Sequence, residues 1–446
     1  MIHAKISYRK KIMRLKIKRE NALDYIILWG LILQIVIVRW LNIHEQFNFI
    51  IVSLICIRFA NKPKLFFSRR TVAALSVFIG YSFLNWIILG GTSYLFFKNL
   101  WRILKTLIIV WYFSDLIKNK GLFAVNFFKK LFLFFNIYML INIPIIIAQL
   151  SGHYVLLGLR SDYQLNSVDF VSGLFGVYGM PRLNLYLLFL FYYNLTWLKQ
   201  RKKNLKYYLF LAYNILLILP WAIRGINIDN KGFYVCILIY AISYYVSNNS
   251  IRKSGNKIKT RGFHFWKRIA LIVAFGIVLL YVGARVNNSV AGMINQIFEA
   301  MNSGITKMNA TGGTNERFGM IAYALSNPQY RWFGAGIGKI ATDTSWGFGF
   351  AHFGQSDLGA YMCVAGLLFA IALIYYVYQM EMEMYKERNY AILFTILSVI
   401  LSVYSQIFTD AGLTNGFLFF QLICYSQIYS SSLRNKQPLC NKFDRR

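Results

Sequence analysis

Acidic residues, cysteine and histidine are scarce in this sequence, and each shortage excludes a class of protein. Only 16 Asp and Glu accompany 49 Lys and Arg, which gives a formal net charge of +33. The five cysteines form no CxxC pair, and four of them lie in apolar runs, which argues against a disulfide framework and against a zinc site. Since the five histidines are also scattered, the sequence predicts no metal and no cofactor.

Apolar residues, by contrast, are abundant. The chain is 57% hydrophobic and 18% aromatic, with a mean hydropathy of +0.46. Soluble domains contain about 45–50% apolar residues, so the composition predicts a membrane protein. A helix that crosses a bilayer needs about 20 mainly apolar residues. Twelve segments come close to this, starting near Ala22, Phe47, Val72, Trp101, Leu131, Leu183, Leu205, Gly232, Ile269, Leu358, Tyr390 and Gly416.

Basic residues cluster in alternate connections between these segments. When the N-terminus is placed inside, the cytoplasmic connections contain most of the Lys and Arg, as the positive-inside rule requires for an even number of spans. We therefore predict an all-α polytopic membrane protein of about twelve transmembrane helices, with both termini cytoplasmic. It forms one integral domain over residues 1–446 of the cytoplasmic membrane. The positive charge then reflects topology, and no nucleic-acid partner is expected.

Two long loops lie on the predicted outer side. The first covers residues 151–182, and the main extracytoplasmic loop covers residues 286–355. Shorter outer connections cover residues 224–231 and 409–415. The main loop is rich in Gly, Asn and Thr but also contains Phe, Met and Trp, which polar linkers lack. We expect it to fold onto the membrane surface and to contain the active site.

Five arginines lie in these outer segments: Arg160, Arg182, Arg224, Arg317 and Arg331. The guanidinium group is a planar, permanently charged fork that binds phosphate through two hydrogen bonds. In a protein that faces lipid, such a set of cations indicates a lipid pyrophosphate as the ligand. An arginine near a helix end also reaches to lipid head groups without any further role. For each of the five residues, both interpretations remain open.

The main loop contains a predicted helix followed by a glycine-rich turn. Thr314 or Asn315 can cap this helix, Pro328 follows its end, and Arg317 lies in its first turn. The turn, GAGIGK, ends at Lys339 and lacks the spacing of a nucleotide phosphate loop. It predicts a tight turn with exposed backbone amides.

His352 immediately precedes the tenth predicted span. A histidine at the outer mouth of a helix bundle can act as a general base or orient an acceptor hydroxyl group. Asp357, Glu316 and Asp343 are alternative carboxylate bases in the same region. A hydrogen-bonded histidine at the membrane interface, with no catalytic role, is the other interpretation.

Taken together, these motifs resemble the O-antigen polymerase and ligase superfamily, which includes the Wzy-type polymerases. Loops in that family combine an arginine on a helix, a proline and glycine turn and a histidine before the next span. Here the corresponding stretches are R-x7-L-x2-P, WFGAGIGK and AHFGQSDLGAY. LPWAIRGIN resembles the family's Ser-Arg-Gly junction, with Ile223 in place of serine. FGVYGMPRLN resembles its G-x-F-x-x-P-N motif, with Arg182 in place of asparagine.

The resemblance implies a bundle like those of metal-independent C-type glycosyltransferases. Such an enzyme would join undecaprenyl-pyrophosphate-linked oligosaccharide repeat units at the outer face of the membrane, to make O-antigen, capsule or exopolysaccharide. His352 and Arg317 would be the catalytic residues. Arg224 would bind substrate, with Arg160 and Arg182 as weaker candidates. The resemblance also implies a chain-length regulator protein as a partner.

Two other functions fit the same sequence features. A ligase of the same superfamily would transfer the finished glycan to another acceptor. A flippase for lipid-linked oligosaccharides also has about twelve spans and basic residues. It would place its cations inside the helix bundle, where this sequence has few charges, and would not need a long outer loop.

Overall fold

In the computed structural model, the regular elements are helices. The structure describes residues 21–38, 40–61, 68–156, 171–177, 179–199, 201–224, 231–250, 314–344, 347–350 and 353–429, with scattered positions between 265 and 285. These ranges contain no β-strand, and their one isolated bridge joins Gly91 to Gly338 in parallel. The predicted all-α class is confirmed for this part of the chain.

The helices have the following bounds: α1 (Asn21–Val36), α2 (His44–Ala60), α3 (Arg69–Leu89), α4 (Ser93–Lys130), α5 (Phe132–Leu150), α6 (Met180–Leu198), α7 (Leu205–Arg224), α8 (Lys231–Ser250), α9 (Thr314–Ser326), α10 (Pro328–Arg331), α11 (Asp357–Tyr385), α12 (Arg388–Tyr404) and α13 (Ala411–Ile428). A helix covers each predicted span except the ninth, which starts near Ile269 and lies largely outside the described residues. The predicted helix in the main loop is also confirmed, since α9 ends two residues before Pro328.

Three of these helices, α3, α5 and α11, are long and apolar enough to cross a membrane. Shorter apolar helices include α1, α12 and parts of α7 and α8. Large apolar side chains on α3 and α5 are exposed, among them Ile87, Ile88, Leu133 and Leu140. Exposed apolar faces of this kind are expected where a helix contacts lipid. The helices therefore indicate a membrane protein, while the count of twelve spans and their direction stay predictions.

Helix α4 is longer than the predicted span that it contains. It begins at Ser93, eight residues before Trp101, and continues to Lys130 with a break in helical geometry at Lys120 (φ −134°, ψ 32°). Only Leu131 separates it from α5. The predicted inner connection between the fourth and fifth spans is therefore largely helical, because no proline interrupts this stretch.

The interior of the bundle is organised around α11 and α13. Helix α11 packs against α3, α4, α9 and α12, and helix α13 packs against α4, α6 and α8. Gly366, the tenth residue of α11, breaks the helix at φ 81°, a backbone conformation that favours glycine. A Cβ atom at Gly366 would lie 2.2 Å from the carbonyl oxygen of Trp332. The break therefore gives the main loop a place to dock against α11.

The glycine-rich turn occupies this place. A Cβ atom at Gly334 would lie 2.4 Å from the backbone of Val364, so the two chains touch through their main-chain atoms. The amide of Ala335 donates to Cys363 at 2.9 Å, and the amide of Gly336 donates to Val364 at 2.8 Å. These amides are paired with protein carbonyls, so the prediction of exposed amides in this turn is wrong for both.

Two asparagines hold the same segment from the other side. Asn85 of α3 donates to Phe333 O at 2.6 Å and accepts from the amide of Ile337 at 2.9 Å. Asn99 of α4 donates to Ile337 O at 2.7 Å and accepts from the amide of Thr342 at 2.9 Å. Residues 332–342 are therefore inserted between α3, α4 and α11. We expected the main loop to fold onto the surface. This part of it departs from that expectation, because its backbone hydrogen bonds are made inside the bundle.

Candidate functional site

A cavity of about 380 Å³ opens where distant parts of the chain meet at one end of the bundle. The parts are the end of α1 and the start of α2, the first turns of α4, the start of α6, the main loop and the connection before α13. Its lining residues are Gln34, Asn42, His44, Glu45, Asn48, Arg102, Lys105, Arg182, Asp343, Gln406, Thr409, Asp410, Ala411 and Gly412. Of these, Arg182, Asp343, Thr409, Asp410, Ala411 and Gly412 belong to segments that the charge pattern predicts to be outside.

Three of these residues are cations. Arg102 and Lys105 are three residues apart on α4 and therefore share one face of that helix. Arg182 comes from the first turn of α6. The side chains of Lys105 and Arg182 are only 3% and 6% exposed, so both charges are held in the cavity wall. Buried charges require partners, and each of these two has a carboxylate.

Lys105 is paired with Glu45. Its Nζ donates to Glu45 Oε1 at 2.7 Å and to Oε2 at 2.9 Å. Glu45 lies two residues before the predicted start of the second span. Burial by itself would raise the pKa of Glu45, but the charge and hydrogen bonds of Lys105, helped by His44 and Asn48, hold it below its usual value. Glu45 is therefore a carboxylate at neutral pH.

Arg182 is paired with Asp410. Arg182 Nε donates to Asp410 Oδ1 at 3.1 Å, and Nη2 donates to Oδ2, which gives a two-bond ion pair. Asp410 is also the N-cap of α13, where Oδ1 accepts from the amides of Gly412 at 2.8 Å and Leu413 at 3.2 Å. The carboxylate thus fixes both the arginine and the start of the last helix.

Arg102 differs from the other two cations. Its Nη1 donates to the hydroxyl group of Thr342 at 2.9 Å, and it makes no ion pair with any described residue. The nearby Asp343 is paired instead with Lys98 at 3.0 Å. The cavity therefore presents one guanidinium group without a contacting carboxylate, together with two cations that are already neutralised. Such an arrangement is suited to an anion with several oxygen atoms.

Arg317, predicted to be catalytic, is placed beside the cavity but does not line it. Its Nη1 donates to Tyr404 O at 2.7 Å and its Nη2 donates to Gln355 Oε1 at 3.0 Å. These bonds fasten α9 to the C-terminal end of α12. The chain then continues to Gln406, which lines the cavity and donates to Gly354 O. The catalytic role of Arg317 stays a prediction.

The other predicted site residues are distributed as follows. Arg182 lines the cavity. Arg331 lies outside it, and its Nε donates to Leu325 O at 2.6 Å. Arg160 and His352 are outside the described residues, and so is the side chain of Arg224, whose backbone ends α7. Of the three predicted residues whose side chains the structure describes, Arg182, Arg317 and Arg331, only Arg182 lies in the cavity wall.

The alternative carboxylate bases are also separated. Asp343 lines the cavity. Asp357 is buried at the start of α11, where it accepts from the amide of Phe408 and the hydroxyl group of Thr409, both at 2.6 Å. It therefore supports the connection that forms one cavity wall. The side chain of Glu316 is outside the described residues.

Arg102 and Lys105 were not predicted as site residues, although the sequence contains a signal for them. Both lie near the start of an apolar segment, where ionisable residues are costly and usually functional. Their spacing places them on one helix face. Nothing in one sequence shows which segments approach α4, so the sequence alone does not identify this pair as part of a site.

No family model matches this chain, and no curated protein sequence matches it either. Within the described ranges, no group of histidine, cysteine and acidic side chains is arranged to hold a metal ion. An assignment of function therefore depends on the cavity, its charges and the membrane character of the helices.

Proposed function

We propose that this protein is a membrane glycosyltransferase that joins oligosaccharide repeat units carried on a lipid pyrophosphate, at the outer face of the cytoplasmic membrane. The observation that carries the proposal is the cavity with Arg102 and Arg182 in its wall. A polar cavity at one end of an apolar helix bundle is suited to a ligand with a charged head group and a lipid tail. The resemblance to the Wzy-type polymerases selects the reaction.

The chemistry needs no nucleotide, because the sugar is already activated by its bond to pyrophosphate. A hydroxyl oxygen of one repeat unit attacks the anomeric carbon of another, and the bond from that carbon to the pyrophosphate oxygen breaks. The hydroxyl proton passes to a base, and the lipid pyrophosphate leaves with the bonding electrons. In this proposal Arg102 stabilises the charge that develops on the leaving group. Asp343 and His352 remain the candidates for the base.

The surface polysaccharide of a deletion strain tests the proposal. If the protein is a polymerase, the strain still exports and attaches single repeat units but makes no ladder of longer chains. If it is a ligase, long polymer accumulates on the lipid carrier. Loss of a flippase would leave single lipid-linked units on the inner face, and an unchanged polysaccharide would overturn both enzyme assignments.

A further inference from the structure

The carboxylates that pair with Lys105 and Arg182 differ in how firmly they are held. Asp410 makes hydrogen bonds to two amides at the start of α13, so it could leave Arg182 only by uncapping that helix. Glu45 is held by the side chains of Lys105 and Asn48 and, among the described residues, by no backbone amide, and 51% of its side chain is exposed. A half-exposed carboxylate can return to water at little cost.

The start of α2, which carries Glu45, is not fixed by a side-chain cap. Glu45 lies in the first turn of α2, and the N-cap residue, Ile43, makes no side-chain capping bond. The preceding Asn42 has φ 56°, in the left-handed region, at a turn between α1 and α2. Lys105, by contrast, is enclosed in the cavity wall, with only 3% of its side chain exposed. A small rotation at the start of α2 would separate the pair while the ammonium group stays in place.

We propose that Lys105 is a further ligand-binding residue of the cavity, and that Glu45 is its exchangeable counter-ion, displaced when a diphosphate group binds. This inference rests on the proposed function, which makes the cavity the head-group site. Lys105 lies one turn along α4 from Arg102, so one diphosphate can bridge both cations. In the empty protein, Glu45 supplies the oxygen atoms that the enclosed ammonium group requires. Binding then replaces a carboxylate with a phosphate.

Titration of the purified protein in phosphatidylcholine nanodiscs, with inorganic pyrophosphate as the probe, tests this exchange. Glu45→Gln keeps the shape of the side chain and removes its competition for Lys105. We expect it to bind pyrophosphate about fivefold more tightly than the wild type, the range of a partly exposed ion pair. Pyrophosphate should also raise the melting temperature of Glu45→Gln more than that of the wild type, because it restores a partner to Lys105.

Two controls separate exchange from a general change of charge. Asp343→Asn removes the same charge from the same cavity but from a carboxylate paired with Lys98, so it should give a clearly smaller gain. In a Lys105→Met background, Glu45→Gln should give no gain at all, because the competing pair is already absent. Equal gains in Glu45→Gln and Asp343→Asn, or a gain that persists without Lys105, would overturn the proposal.

Farnesyl pyrophosphate in a parallel titration distinguishes a lipid head group from the free anion. A gain in Glu45→Gln for both probes assigns Lys105 to the head group of a lipid, and a gain for inorganic pyrophosphate alone assigns it to the free anion; either result supports the exchange. Weaker binding by Glu45→Gln would mean that Glu45 orients Lys105, and would refute it. If the exchange fails while the deletion strain still lacks long polysaccharide, the proposed function survives without it.

Discussion

At the scale of single residues, the three cavity cations have different environments. Lys105 and Arg182 each contact a carboxylate, whereas Arg102 donates to the neutral hydroxyl group of Thr342. An ion pair in the wall must be broken or reshaped before its cation can bind a ligand fully. Arg102 needs only to exchange a hydrogen bond with a hydroxyl group. We therefore infer that Arg102 makes the first and strongest contact with an anionic ligand.

Replacing Arg102 tests this inference. Arg102→Gln keeps a hydrogen-bond donor near Thr342 but removes the positive charge, so stabilisation of the leaving pyrophosphate is lost. A hydrogen bond to a charged group is worth about 1.5–3 kcal/mol, which corresponds to a rate about 10- to 100-fold lower. The measurement is the length distribution of the surface polysaccharide in a complemented deletion strain.

The matched control is Arg70→Gln, which removes the same charge from an exposed position at the start of α3. It should restore the full ladder. If Arg102→Gln also restores normal chain lengths at equal protein levels, Arg102 is not part of the site.

Sequence reasoning reached some of these residues and missed others for a physical reason. Arg182 is found from its type and its place in an outer loop, and the structure puts it in the cavity wall. Arg102 and Lys105 lie in a predicted span and were not predicted as site residues. They become part of a site because Glu45 and Arg182 approach them in the fold. In the sequence, Glu45 and Arg182 are 60 and 77 residues away from Lys105, respectively. No local pattern encodes that approach.

At the scale of elements, the main loop is tied into the bundle by main-chain contacts. The break of α11 at Gly366 receives residues 332–336, while α3 and α4 hold residues 333–342 through Asn85 and Asn99. At the end of this segment, Thr342 accepts a hydrogen bond from Arg102, and Asp343 lines the cavity. Correct docking of the turn therefore positions one wall of the candidate site.

A methyl group at Gly366 should disrupt this docking. In Gly366→Ala the new Cβ would meet Trp332 O at 2.2 Å, and the residue would have to keep φ 81°. We expect a loss of about 2 kcal/mol or more in the free energy of unfolding, as for strained backbone sites. Thermal unfolding of the protein in nanodiscs would show a lower melting temperature.

Gly80→Ala is the matched control, since a Cβ atom there has no neighbour within 4 Å and Gly80 lies inside α3. Alanine is the better helix former, so this variant should be as stable as the wild type or slightly more stable. A Gly366→Ala protein as stable as Gly80→Ala would show that the turn does not depend on close backbone contact.

The elements of the main loop differ in how far they can be predicted. Helix α9 follows from local rules, because its spacing and Pro328, two residues after its end, agree with the prediction; the predicted caps Thr314 and Asn315 lie inside the helix. The turn at 334–339 is recognisable by its glycines, but the partners of its amides are not. Cys363 and Val364 accept those bonds only because α11 is broken at Gly366. A break inside an apolar helix leaves no mark in the sequence other than one glycine among many.

At the scale of the whole molecule, the two ends of the helix bundle carry different clusters of charge. The cavity end has Arg102 without a contacting carboxylate. At the opposite ends of α1, α2 and α4, Arg58 is paired with Asp24 at 2.5 Å and with Asp115 at 2.8 Å, and Lys120 is paired with Asp24 at 2.6 Å. That cluster is balanced in charge and buried, so it is suited to holding helices together. The distribution favours the cavity end as the site of ligand binding.

The all-α class of the described residues follows from composition, because about 20 apolar residues in a row have few other uses. Parts of the main loop, of the connection before α13 and of the start of α6, far apart in sequence, meet at one cavity. Which of their residues face that cavity depends on how the helices pack, and hydropathy alone does not contain that information.

The most direct test of the central claim is a reaction with purified components. The protein, reconstituted in liposomes, is given a lipid-pyrophosphate-linked repeat unit and no nucleotide, and the glycans are separated by size. The account predicts glycans of two or more repeat units, release of the lipid pyrophosphate, and little product with Arg102→Gln. Glycans that stay at one repeat unit with the folded wild-type protein, or equal product from Arg102→Gln, would contradict it.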